Sequence, residues 1–390
     1  MDDRSTPTKQ EEIRCVHLAS GDLWAGAEVQ IYNLVSRLHT IDGITPHAVL
    51  LNDGELAERL RAAGVPVTVL DERRMSAWRI FREVVRIIRR ERIGIVHSHR
   101  RKEQIIGTLA ARLTRCSAVR TIHGRSEHPP ARWDLRRRLL KRLDDATARL
   151  QQRVIAVSEV LGGELEATLP RGRVLVIPNG VDLAAVQATA ATASRPPLTQ
   201  RPMEIAVVGR LVPVKRVDLV IDIAAHLEQA SPGAFQFHIY GDGPLRAALE
   251  ARARAALPET VLSFAGFRSD VLERLASHDA LLITSDHEGL PTNLLEALAL
   301  GKPVVARRVG EIPLVLGESL AEYCVDASLP APFAARLAAL RDDLTADTVD
   351  RQQLYARATA YSAEACSERH AALYRSLVQA ADDPRKPADA

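Results

Sequence analysis

At 390 residues, 46% hydrophobic and 26% charged, the chain is too long for one ordinary core and has the composition of a soluble protein of two domains. Its formal net charge of +3 is uneven: residues 1–200 carry 32 Lys/Arg against 23 Asp/Glu, and residues 201–390 carry 20 against 26. The polar start from Met1 to Arg14, the lack of any run near ~18 apolar residues, and scattered cysteines (Cys15, Cys116, Cys324, Cys366) without Cys-x-x-Cys spacing oppose a signal peptide, a membrane span, a zinc knuckle and a disulfide framework. A cytoplasmic protein with reduced thiols is expected.

Short β-rich runs alternate with helical periodicity along the chain, the pattern of parallel α/β sheets. A first series of strands is predicted at 13–19, 46–51, 65–70, 95–97, 119–122, 154–157 and 174–177. After the first comes Ser20-Gly-Asp-Leu-Trp-Ala-Gly-Ala-Glu28, then a helix with Val29, Ile31, Leu34, Val35 and Leu38 as its apolar stripe. A glycine-bearing loop that opens a helix offers free amides to an anion. It is not the Gly-x-Gly-x-x-Gly of dinucleotide binders, and a purely structural turn would read the same way.

Between Arg73 and Arg142 lie 21 basic and 5 acidic residues. With apolar stripes such as Trp133-Asp-Leu-Arg-Arg-Arg-Leu-Leu-Lys-Arg-Leu143, this stretch suits an anionic membrane surface or lipid phosphate, a solvated arginine face being the alternative. Nucleic acid is not expected, because no stacking aromatics are interleaved with the charges. His123-Gly124 closes the fifth strand, with His99 near the end of the preceding one. A histidine there can donate to a sugar hydroxyl, support charge at a reacting centre, or be structural. Pro178-Asn-Gly-Val-Asp182 is a turn that shapes the rim of a binding cleft, and the Ala/Thr/Pro-rich stretch 184–202 reads as a linker.

A second series of strands is predicted at 204–208, 235–240, 261–264, 280–284 and 303–306. After the first comes Gly209-Arg-Leu-Val-Pro-Val-Lys-Arg216, in which Arg210 and Lys215 are placed to clamp a diphosphate. Such cations can neutralise a leaving diphosphate without a metal, and no Asp-x-Asp motif is present to carry one. Tyr240-Gly-Asp-Gly-Pro244 and Phe264-Ala-Gly-Phe-Arg268 follow later strands, where Gly241 frees space and the backbone can read a nucleobase edge; tight turns explain both segments as well. The most informative segment is Ser285-Asp-His-Glu-Gly-Leu-Pro-Thr-Asn-Leu-Leu-Glu296. It puts Glu288 just before a helix that should start at Pro291, Glu296 inside that helix, and free amides near Thr292, Asn293 and Leu294. Phosphate on the amides and hydroxyls on the carboxylates suggest a sugar nucleotide. The stretch 351–380 reads as helical and 382–390 as a tail.

These residues resemble those of GT-B fold glycosyltransferases of the large retaining group called family four, from about Ile13 to Leu377. The most specific part is the Glu, seven residues, Glu signature from Glu288 to Glu296, with its Glu-Gly-x-Pro start and Glu-Ala end. Arg210 and Lys215 match the family's Gly-Arg…Lys pair, His123 its first-domain histidine, and Pro178–Asp182 its turn. The resemblance implies an α/β chain of two Rossmann-like domains whose parallel sheets face a central cleft. Residues 1–183 would be the acceptor side, 184–202 the linker, 203–361 the nucleotide-sugar domain, and 362–390 a helix packing back toward the N-terminal domain, then a tail.

By the same resemblance Glu288, His123, Arg210 and Lys215 are the catalytic groups, with Glu288 touching the transferred sugar. Glu296 would bind the donor's ribose hydroxyls, with Gly289, Leu290, Pro291, Thr292, Asn293, Gly241, Phe267 and Arg268 around the donor. Gly26 and Ala27 would form the phosphate- and acceptor-facing loop. Transfer would run with retention from a nucleotide-diphosphate sugar, without metal or other cofactor, to a glycan or lipid-linked acceptor in cell-surface polysaccharide or glycolipid biosynthesis. Two departures stand out: Ala25 where many relatives have glycine, and Glu311 where a second glycine is more usual. Two other readings stay open, a nucleotide-sugar epimerase on a similar scaffold and a catalytically silent scaffold that binds membrane or partner proteins.

Overall fold

The structure, a computed structural model, describes residues 12–21, 24, 26–124, 135–190 and 196–382. The chain divides into two units, Met1–Gly180 with Ala363–Ala390, and Val181–Ser362.

The first unit is built on seven strands: β1 Ile13–Ala19, β2 Ile44–Leu50, β3 Val67–Val69, β4 Ile95–Ser98, β5 Ser117–Ile122, β6 Arg153–Ala156 and β7 Val174–Val176. Their order is β3-β2-β1-β4-β5-β6-β7, with every pairing parallel. Helices cover both faces, so β1 is buried on both sides and reads as a nearly unbroken apolar run; Cys15, Val16, Leu18 and Ala19 are all buried. The chain returns to this unit through its last helix, Ala363–Asp382, which lies against the helix Gly26–Leu38. There Ala371, Leu373, Tyr374 and Leu377 share a core with Cys15, Leu34 and Leu38.

The second unit has six strands: β8 Met203–Val208, β9 Phe235–Tyr240, β10 Leu262–Gly266, β11 Ala280–Ile283, β12 Val304–Arg307 and β13 Cys324–Val325. They run in the order β10-β9-β8-β11-β12-β13, again all parallel. Ile205, Ile239, Leu281 and Val305 are fully buried at its centre.

Both sheets reverse their winding beside their first strand, at β1/β4 and at β8/β11. Loops leaving the carboxyl ends of those strands diverge to opposite faces, and the crevice this opens is where open α/β sheets bind ligands.

Several elements differ from expectation. The two-residue strand β13 was too short to show a period. The helix that should start at Pro291 begins at Thr292, with Pro291 in the capping position. Within 184–202 the structure has a helix, Leu183–Ala190, and a short 3-10 turn, Leu198–Gln200. The alanines that suggested a linker are strong helix formers, and Val186 is buried in the second unit's core. Residues 125–134, which include Trp133, and residues 22, 23, 25, 191–195 and 383–390 lie outside the described residues, so Ala25 does too.

Candidate functional site

In the second unit the site forms where β8 and β11 end. Thr284 Oγ1 donates to the carbonyls of Lys215 (3.0 Å) and Arg216 (3.1 Å), and the Asp286 amide donates to Val214 O (2.8 Å). These bonds tie the loop after β8 to the loop after β11. The tie sets Lys215 Nζ 2.7 Å from Glu288 Oε1, with the carboxylate side chain 10% exposed and the lysine 25%.

The Glu288–Gly289 backbone is braced from the far side. Gly310 adopts φ +55°, and a Cβ there would overlap the Glu288 carbonyl oxygen; the next amide, of Glu311, donates to Gly289 O (3.1 Å). Glu311, which stands where a second glycine is more usual, occupies the N-cap position of the short helix Ile312–Leu316 without a side-chain cap bond and is buried. Gly241 makes a similar close approach: at φ +151° it lies against Gly209, where a side chain would overlap the carbonyl. The Gly209 amide donates to Tyr240 O and that of Gly241 to Gly266 O, so the edge of β8, β9 and β10 is lined by backbone rather than side chains.

The helix Thr292–Ala299 starts with no side-chain cap, which leaves its first amides and the positive end of its dipole for an anion. Asn293 turns back and donates its Nδ2 to Val208 O (3.0 Å), bracing the helix against β8. Leu290 and Pro291 are buried, Leu290 within the core; they set the course of the loop. Glu296 lies one turn into the helix, half-buried. Burial pushes its carboxyl from 4.5 up to about 7, and among the described residues no side chain pairs with it. Arg210, Phe267 and Arg268 are exposed on the loops after β8 and β10. Lys215, Glu288, Gly289, Thr292, Asn293 and Glu296 are thus brought together at one sheet edge, with Gly241 beside the loop after β8.

In the first unit Gly26 and Ala27 open the helix Gly26–Leu38. The next residue, Glu28, is fully buried and bonded by Arg100, which follows β4. Farther along this helix, Gln30 Oε1 accepts from the Gly180 amide (2.8 Å) and Asn33 Nδ2 donates to Gly180 O (3.1 Å). The turn at 178–182 is therefore held by the helix that Gly26 starts.

His123 directly follows β5 and belongs to a larger cluster than its spacing suggested. Its Nε2 lies 3.3 Å from His99 Nδ1, and His99 Nε2 lies 3.1 Å from His17 Nδ1. Tyr374 Oη, on the last helix, is 3.3 Å from His17 Nε2 and 2.6 Å from His97 Nδ1. Burial lowers all of these histidines: His17 to about 3 and His123 to about 4, with His97 and His99 well below the usual range. They are neutral at neutral pH. Sequence reasoning missed His17, His97, Tyr374 and the Arg100–Glu28 pair. A signal existed in His97-Ser-His99, two histidines on one face of a strand, with His17 in register beside His97.

Among the described residues two side-chain groups lie close enough to share a metal ion, His17/His97/His99 and Glu204/His238/His278, with ligand atoms within 4.8 Å of one another. In the first, every ring nitrogen already has a hydrogen-bond partner.

Comparison with known families accounts for both units. Residues 192–359 match the model of glycosyl transferases group 1, and residues 24–185 match that of glycosyltransferase family 4. The chain belongs to the family 4 glycosyltransferases. Among relatives of this glycosyltransferase, the putative glycosyltransferase EpsF of Bacillus subtilis is 28% identical over 328 residues, 81% of this chain and 82% of that protein. The UDP-Gal:alpha-D-GlcNAc-diphosphoundecaprenol alpha-1,3-galactosyltransferase of Escherichia coli is 26% identical over 269 residues, 65% of this chain and 68% of the relative. The crystal structure of Anabaena HepE in complex with UDP-glucose superposes with a TM-score of 0.77 at 19% identity, covering 93% of this chain and 100% of that one. That likeness shows that the glycosyltransferase shares the GT-B fold.

Proposed function

We propose that this chain moves a sugar from a nucleotide-diphosphate sugar, held by the second unit, to a glycan or lipid-linked acceptor with retention of configuration, in polysaccharide or glycolipid biosynthesis. The observation that carries the reading is the Lys215–Glu288 pair at the uncapped start of the helix Thr292–Ala299, with the unpartnered Glu296 one turn on. Negative charge grows on the diphosphate as the glycosidic bond breaks. Lys215, Arg210 and the helix amides are the groups suited to stabilise it, without a metal. The diphosphate would draw Lys215 away from Glu288, leaving that carboxylate to the transferred sugar, while Glu296 accepts from the ribose hydroxyls. His123 and the loop at Gly26 belong to the acceptor side. Retention would follow same-face attack through an oxocarbenium-like state.

The Escherichia coli relative, named for transfer onto a diphosphoundecaprenol-linked sugar, and the UDP-glucose bound to HepE supply the first substrates to try. A panel of nucleotide sugars tested by thermal shift and turnover is expected to give a uridine-linked hexose that raises Tm by mass action. Its sugar should appear on a lipid-linked acceptor with the donor's anomeric configuration, read from the anomeric proton coupling, and turnover should persist in EDTA. Isomerised donor without any acceptor would replace this reading by the epimerase, and full biological activity of Glu288→Ala by the silent scaffold.

A cytoplasmic enzyme held at the anionic inner face of a membrane completes the proposal. Among the described residues no helix is long and apolar enough to cross a membrane. On the helix Ala77–Arg90, however, Trp78 is 66% exposed and stacks on Phe81. Arg79, Arg82 and Arg89 on the same helix are exposed, with no acidic partner among the described residues, and Leu109 and Leu113 are exposed on the neighbouring helix Arg101–Thr114. An aromatic anchor amid unpaired arginines fits an anionic bilayer. Co-sedimentation with phosphatidylglycerol vesicles is expected to weaken as salt rises and to be lost in a Trp78→Ala/Arg82→Glu double variant; salt-independent binding would sink the idea.

A further inference from the structure

Four histidines of the first unit, His97, His17, His99 and His123, are joined through Tyr374 into one chain. Thr121 Oγ1 lies 2.8 Å from His97 Nε2 and His97 Nδ1 2.6 Å from Tyr374 Oη; Tyr374 Oη in turn is 3.3 Å from His17 Nε2. His17 Nδ1 then meets His99 Nε2 at 3.1 Å, and His99 Nδ1 meets His123 Nε2 at 3.3 Å. His17, His97 and Tyr374 are fully buried and His99 is 3% exposed, so no water competes for these links.

A neutral imidazole has one N–H and one bare nitrogen, so each ring in such a chain donates one way and accepts the other. The rings therefore cannot choose tautomers independently. Either all bonds run from Thr121 toward His123, or all run back, or Tyr374 Oη accepts from both His97 and His17, which strands the phenol proton and the bare Nδ1 of His123. The backward direction strands two groups: the Thr121 hydroxyl proton, whose one hydrogen bond among the described residues is to His97, and the bare Nδ1 of His123, a buried atom with no partner among the described residues. The forward direction uses the hydroxyl proton and leaves one donor over, the His123 Nδ1–H. Since each buried orphan costs about 1–3 kcal/mol, the forward direction is the lowest in energy.

We propose that Tyr374, His17 and His99 act as positioning residues that lock His123 in the Nδ1–H tautomer, so that His123 presents a hydrogen-bond donor toward the substrate. A tyrosine on the last helix of the chain thereby controls a ring two histidines away. The use of this donor in sugar transfer rests on the functional reading above, whereas the chain itself does not.

The test is the long-range proton–nitrogen spectrum of the full-length protein labelled with nitrogen-15 histidine, at pH 7.5. Wild type is expected to show His123 with Nδ1 protonated and Nε2 bare. Tyr374→Phe keeps the ring and removes the hydroxyl that feeds His17, so each direction then strands one N–H and one bare nitrogen, and the His123 proton should spread onto Nε2 as a mixture of tautomers. Turnover is expected to fall about twofold or more, in proportion to the Nδ1–H population lost, with the donor KM unchanged, because the donor-binding groups lie in the other unit. A His123 tautomer that is Nε2–H in wild type, or unmoved in Tyr374→Phe, overturns the proposal. His99→Ala guards against a variant that fails to fold: it severs the last link and should leave His123 a mixture of tautomers, and a surviving pure Nδ1–H form would likewise overturn it. Ring nitrogens that shift to metal-bound positions with zinc and back with EDTA would replace the chain by a metal site. A shifted tautomer population with unchanged turnover would uphold the chain and remove His123 from the transfer step.

Discussion

Glu296 is a carboxyl group with no side-chain partner among the described residues. Its folded value is raised above the unfolded one, so its contribution to stability is fully present below 4.5 and is lost as pH rises through about 7. A ligand that gives the ionised form two hydroxyl donors recovers that loss. Affinity for a nucleotide sugar, whose diphosphate does not titrate in this range, is therefore expected to rise from pH 6 to pH 8, and Glu296→Gln should flatten the profile; isothermal titration at a series of pH values checks it. Glu288 differs, being already paired with Lys215 at 2.7 Å. Glu296→Ala should chiefly weaken donor affinity and Glu288→Ala chiefly slow turnover, each by about tenfold or more. Equal effects on both parameters in both variants would undo the division of roles.

At the scale of elements, the loop between β12 and the helix Ile312–Leu316 braces the site by contact of backbone on backbone. Gly310→Ala would force a side chain into φ +55° and against the Glu288 carbonyl, whereas Gly43, at φ +78°, has open space around it. Both variants bear the left-handed cost of about 1–2 kcal/mol, and Gly310→Ala is expected to lose at least about 1 kcal/mol more, together with donor affinity. Denaturant unfolding of the two variants gives the difference directly. Strands such as β8 and β11 were readable because burial makes them nearly continuous apolar runs, and β9 because Phe235 and Phe237 alternate with Gln236 and His238. The helix Leu183–Ala190 was not, because the Ala/Thr composition that helix and linker share leaves only tertiary contact, through Val186, to decide between them.

The whole molecule responds to pH through its first unit. His17, His97, His99 and His370 are buried and His123 is partly buried, and all have folded values depressed below 6.5, His123 and His370 to about 4 and His17 to about 3. The unfolded chain binds more protons in that window, so stability is present above pH 6.5 and is lost as pH falls toward 4. His17 alone costs about 1.4 kcal/mol per pH unit. Glu103 in the same unit works the other way, its carboxyl pushed up to about 7 by burial, which places the optimum near neutrality. Hydrogen exchange at pH 7 and pH 5 is expected to show β1, β4 and β5 losing protection in acid, with a smaller loss in β8 and β11.

The order of elements, the two parallel sheets and the Glu288–Glu296 segment were determined by the sequence by itself, because strand burial, loop glycines and a helix start act over a few consecutive residues. Folding alone decided which distant residues share a site. Lys215 and Glu288 are 73 positions apart and Tyr374 and His17 are 357 apart; no local period encodes such pairings. They follow from the winding of parallel strands, which brings every carboxyl end to one edge of a sheet, and from a last helix that crosses back to close the buried end of a histidine chain. The sequence showed His123 as one residue at the end of a strand, and the tertiary structure made it the terminus of a line of coupled tautomers.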